Sequence, residues 1–98
     1  MTSYEDGSAS VGDLVAQVQT ALGFIEAAEQ TGAEAAQRLA ETHASLAQVL
    51  DGTTNQHAIQ GLESVSTART EIGDYLGFLA AAKSMAQEWV NNATGGGQ

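Results

Sequence analysis

His43 and His57 are the chain's two histidines, and with Glu41 and Asp51 close by in sequence they are the first side chains to weigh as metal ligands or acid–base groups. A helical metal site needs a second ligand three or four residues along the same face. Around both histidines those positions hold only Leu, Ala, Thr, Gln and Gly. His57 is read instead as an exposed residue in the first turn of a helix. Paired carboxylates, Glu26 with Glu29 and Glu71 with Asp74, could do acid–base work or hold di-iron. The bundle di-iron pattern requires Glu-x-x-His on facing helices, and the chain contains no such motif. Glu34 and Arg38 stand in the favourable i,i+4 order, an ordinary solvated pair.

No other chemistry stands out. With no cysteine there is no thiolate nucleophile, thiolate metal site or disulfide framework. Gly95-Gly96-Gly97 follows a helical stretch rather than opening one, so it is not a phosphate-cradling loop. A serine or threonine nucleophile needs a concave pocket, and an extended hairpin is expected to offer none. The chain is expected not to be an enzyme and to bind no metal, cofactor or small-molecule substrate.

The elements that position these residues are expected to be helices. Proline is absent, and two spans of about 40 residues, 11–50 and 54–93, are dense in Ala, Leu, Gln and Glu. The first keeps a seven-residue repeat. One row holds Val11, Val18, Ile25, Gly32, Leu39 and Leu46. A second holds Leu14, Ala21, Ala28, Ala35, Thr42 and Val49, and a third Val15, Leu22, Glu29, Ala36, His43 and Leu50. In the second span Val65, Ile72, Leu79 and Ala86 form one row, beside Ala68, Tyr75, Ala82 and Trp89. A further row, Leu62, Arg69, Leu76, Lys83 and Val90, mixes apolar with basic residues and is placed at the seam edge, where long stems can cross apolar surface. A seven-residue period implies packing against a partner helix.

Between the spans, Gly52 suits a left-handed position after the first helix. Thr53 and Gln56 have the capping-box spacing that opens the second. A turn at 51–53 makes the helices antiparallel neighbours. The fold class is therefore all-α: a single domain over 11–93, two long antiparallel helices in a hairpin, with flexible segments at 1–10 and 94–98. Six helix glycines, among them Gly23, Gly32 and Gly73, each cost about 1 kcal/mol relative to alanine.

Tyr75 and Trp89 share a seam row and are read as core filling, whereas Phe24 and Phe78 fall on the outer face at what could be similar heights. Outward aromatics are candidate anchors for a partner. The apolar face that includes Leu22, Leu50, Leu62 and Leu76 is too wide for two helices to cover. A second hairpin, another protein or the chain's own copy, is expected to cover it. Phe24, Phe78, Leu22, Leu76 and Trp89 are the candidate partner-binding residues.

Charge narrows the partners. Twelve acidic residues against three basic ones leave a formal charge of −9. Nucleic acid and anionic membranes need the opposite sign, and basic proteins are the electrostatic complement. Residues 1–13, MTSYEDGSASVGD, have neither the basic nor the apolar region of a signal peptide. No stretch approaches the roughly 20 apolar residues of a membrane span. Residence in the cytoplasm, or export without a cleaved leader, is expected.

Length, two helices, acidity and a glycine turn at Leu50-Asp51-Gly52-Thr53 together resemble the WXG-family small secreted helical hairpins of actinobacteria and firmicutes. The Ala/Gly/Gln/Glu-rich texture is similar to small actinobacterial helical proteins. The resemblance implies a homo- or heterodimer and a substrate or partner in type VII secretion. The family's Trp-x-Gly turn and its Tyr-x-x-x-Asp/Glu signal have no counterpart. Tyr4 is followed at that spacing by Ser8 and Tyr75 by Leu79, so no functional residue is carried over. The alternative expectation is an intracellular structural or regulatory coiled coil that self-assembles.

Overall fold

The computed structural model describes residues 10–96. Most of the expected flexible start (1–9) and the last two residues of the expected tail lie outside the described residues. The protein is an all-α helical hairpin of two long helices, α1 (Val11–Val49) and α2 (Gln56–Asn91).

Each helix start has a side chain that satisfies an otherwise unpaired backbone N–H. Ser10 Oγ accepts from the Asp13 N–H at 3.0 Å, and the Leu14 N–H donates to the Ser10 carbonyl at 3.1 Å. Asp13 adds a negative charge to the first turn, where the helix dipole favours it. For α2 the cap is Asn55, whose Oδ1 accepts from the Ala58 N–H at 3.1 Å. This differs from the Thr53–Gln56 box expected from spacing. Thr53 Oγ1 is taken by the Asn55 N–H at 3.2 Å, so the threonine shapes the turn and the helix begins two residues later than expected.

The turn itself follows from one glycine. The Thr53 N–H donates to the Leu50 carbonyl at 2.9 Å, closing a four-residue turn. Gly52 has φ 78°, and no residue other than glycine has positive φ among those described. Positive φ at the third turn position alone is the type II pattern, which favours glycine there. At the far end, α2 passes into wider π-type turns over Asn92–Gly96. Thr94 Oγ1 donates to the Val90 carbonyl at 2.8 Å, and Gly95, at φ 137°, turns the chain out of helical geometry.

The chain divides into two compact units. One joins Met1–Ala28 to Leu79–Gln98 and so pairs the start of α1 with the end of α2. The other, Glu29–Phe78, pairs the end of α1 with the start of α2 across the turn. In each the two helix segments run antiparallel.

Writing the heptad positions as a to g, with Val11 at a in α1 and Val65 at a in α2, identifies the rows that pack. In α1 these are row a (Val18, Ile25, Gly32, Leu39, Leu46) and row e (Val15, Leu22, Glu29, Ala36, His43, Leu50), all buried or half-buried. In α2 they are row a (Val65, Ile72, Leu79, Ala86) and most of row e (Leu62, Leu76, Lys83, Val90), all half-buried. Row d, expected in the seam, is largely turned out: Leu14, Ala21, Thr42, Val49, Tyr75, Ala82 and Trp89 are exposed. Tyr75 and Trp89 are therefore not core filling, and the Leu62–Val90 row is in the seam rather than at its edge.

The reason is area. Row e carries Val15, Leu22 and Leu50 against Leu62, Leu76 and Val90, whereas row d of α1 is mostly alanine and threonine. Burying the branched aliphatics removes more apolar surface from water, at roughly 25 cal/mol per Å². Tyrosine and tryptophan also tolerate a half-wet flank, since each carries a polar tip.

In the turn unit the approach is close at one point. A Cβ on Gly32 would stand 2.7 Å from Leu76 Cδ2 and 3.5 Å from Tyr75 Cε2. A side chain there would require the end of Leu76 to shift.

Candidate functional site

Two helices bury a strip between them and nothing more. Among the described residues Val15, 8% exposed, is the one buried hydrophobic side chain. No buried side-chain polar atom lacks a partner among them.

The unit that carries both chain ends holds most of the uncovered apolar surface. Val11, Leu14 and Phe24 are exposed on α1, and Met85 and Trp89 on α2; Phe24 is 72%, Met85 68% and Trp89 41% exposed. The rows of Leu14, Phe24, Met85 and Trp89 share one side of the pair. In a right-handed helix row d lies beside row a, and row g beyond it. Two antiparallel helices wind in opposite senses viewed from one end, so if both bury rows a and e against each other, both d rows emerge on the same side. In this unit Leu14 and Ala21 of row d meet that condition on α1, and Ala82 and Trp89 on α2, with Phe24 and Met85 in the adjoining g rows. The opposite side carries Gly12, Gln19, Glu26, Ala80 and Gln87 in the b rows, all exposed and mainly polar or small.

The turn unit is different. Its d and g rows on α1 and α2 are mainly polar or small: Thr31, Arg38, Thr42, Ser45, Gly61, Ser64 and Glu71. Tyr75 and Phe78, the latter 75% exposed, stand out from them, as does Val49 beside the turn. Along α2 the sequence numbers 75, 78, 82, 85 and 89 alternate three and four apart, the spacing of a coiled-coil stripe.

Of the expected partner-binding residues, Phe24, Phe78 and Trp89 are thus exposed, while Leu22 and Leu76 are half-buried row-e residues of the seam. Phe24 belongs to one unit and Phe78 to the other. Met85 and Leu14 carry the same signal of position and exposure but stand outside the expected set. They emerge only once row e, not row d, is known to fill the seam.

The turn unit also contains a shallow groove, contrary to the expectation of no concave pocket. His43, Leu50, Gly52, Ile59, Leu62 and Glu63 are among the residues lining it. No three His, Asp or Glu side chains come together as a candidate metal group among the described residues. No described helix is long and apolar enough to cross a membrane.

No protein-family model, curated protein or solved structure matches the chain. The fold defines the class at this level: an all-α helical hairpin.

Proposed function

We propose that the chain is a non-catalytic interaction module whose end unit receives a helix from another polypeptide on the face formed by Leu14, Ala21, Phe24, Ala82, Met85 and Trp89. The observation that carries the reading is exposure of a large aromatic on each helix, Phe24 and Trp89, in rows that emerge on one side of the same pair. Soluble monomers rarely leave large apolar patches uncovered, and aromatic anchors dominate interface energies. Leu22 and Leu76 serve in the seam, holding the helices that present the face. Phe78 and Tyr75 add a second apolar group on α2.

Self-assembly of two hairpins into a four-helix bundle is the second reading, supported by the three-and-four spacing along α2. The narrower reading from the resemblance is a partner or substrate in type VII secretion, supported by the two-helix outline and the turn glycine. In that form the chain leaves the cell, and otherwise it acts in the cytoplasm. Recovery from the cells but never from the medium of a secretion-competent source strain would remove the secretion reading.

Site-specific photo-crosslinking in the host tests the face itself. A crosslinking amino acid at position 85 should give a protein adduct that one at position 87, on the polar side, does not. Equal labelling at both positions, or none at either, contradicts the reading.

A further inference from the structure

We infer that the occupant of this face is an amphipathic helix flanked by lysine and arginine, and not a second copy of the chain; the inference rests on the proposed interaction face and adds the chemistry of its partner. The ground is the charge of the rims. Beyond rows d and g, the next row outward on each helix is row c. In the end unit row c of α1 holds Asp13, Thr20 and Ala27, and row c of α2 holds Ala81 and Glu88, all exposed. The charged rim residues on both helices are therefore carboxylates.

The unit's one cation among the described residues, Lys83, lies in row e of the seam, away from this face. The pattern continues along each helix taken alone. Row c of α1 goes on to Glu34 and Glu41, and row c of α2 begins with Gln60, Thr67 and Asp74.

A single-signed pair of rims discriminates between occupants. A second copy would bring its own acidic rims to the same place. A copy in the same orientation would set Asp13 and Glu88 against their own counterparts, and a copy turned end over end still brings no cation to meet them, because the described rims of the unit hold none. Like charges set against each other across an interface disfavour that pairing, whereas opposite ones speed encounter and fix register. The chain's overall charge of −9 acts in the same direction.

The apolar part suits a helix. Ala21 and Ala82 leave shallow positions between the larger Leu14, Phe24, Met85 and Trp89, which suits a ridge of side chains spaced three and four apart. Lysine or arginine beside that ridge would then reach Asp13 and Glu88.

Trp89 is the chain's one tryptophan and stands on the face, so its emission reports occupancy. The test uses two synthetic amphipathic helices of about 21 residues, long enough to hold helical structure alone. They share one Leu/Ala stripe and differ in flanking positions, Lys in one and Glu in the other. Titrated into the full chain, the Lys-flanked helix should shift Trp89 emission to shorter wavelength and saturate at about tenfold lower concentration than the Glu-flanked one, a difference that shrinks at high salt. Glu88→Lys combined with Asp13→Asn should remove the preference while leaving helical circular dichroism in place.

Equal affinity for the two helices overturns the basic partner but leaves the face standing. A dilution-resistant dimer with shielded Trp89 overturns it in favour of a second copy. No response to either helix, from a monomer, overturns the basic partner and the face together.

Discussion

At the scale of single residues, two glycines have structural duties that other helix glycines lack. At Gly32 a methyl group would press on the end of the Leu76 side chain, whereas at Gly23, Gly61, Gly73 and Gly77 it would have nothing within 4 Å. Replacing Gly23 or Gly73 by alanine should stabilise the hairpin by up to about 1 kcal/mol each. Gly32→Ala should gain less than either, because the end of the Leu76 side chain must shift to make room for the methyl group. Urea denaturation of the three variants checks the order. At the turn, Gly52→Ala puts a side chain at φ 78° and should cost about 1 kcal/mol or more. Asn55→Ala should cost about 1 kcal/mol through loss of the α2 cap, and more than Thr53→Ala. The turn glycine was legible because left-handed geometry selects for it. The cap was not, since Thr53 and Asn55 are both good capping residues and only hydrogen bonding decides between them.

At the scale of the helices, burial and exposure separate two kinds of apolar residue. Val15→Ala should lower stability by about 1–2 kcal/mol, the loss expected on deleting buried methyl groups. Phe24→Gln, on a side chain 72% exposed, should change stability by no more than about 0.5 kcal/mol. Thermal melts followed by circular dichroism distinguish the two. The helices themselves were readable from the seven-residue rows at Val11 to Leu46 and Val65 to Ala86, which do lie in the seam apart from Val11 at the helix start. Which neighbouring row joined them was not readable. Rows d and e flank row a on either side, and Tyr75 and Trp89 made row d of α2 look like core. The choice depended on how the aliphatic e rows of both helices fill the gap together, a property of the pair rather than of either sequence span. That choice also decided the candidate site, because it turned Trp89 outward, brought Met85 and Leu14 into view, and moved Leu22 and Leu76 inward.

At the scale of the whole molecule, the chain combines an excess of carboxylates with little buried area. Twelve acids against three bases in 98 residues leave an excess of carboxylates that repel one another, most strongly at low ionic strength. Adding sodium chloride from a low-salt buffer should raise Tm by a few degrees, as scanning calorimetry would record. The same charge opposes self-association through the exposed Phe24, Phe78, Met85 and Trp89. An isolated chain with acidic rims on both helices should therefore stay a monomer and keep its apolar face open until a partner of opposite charge arrives. The most direct measurement is light scattering coupled to size-exclusion chromatography over a wide concentration range, with Trp89 emission recorded on the same peak. The account predicts one chain's mass throughout, with emission from a partly hydrated indole. A two-chain mass that survives dilution, with emission from a buried indole, would contradict it.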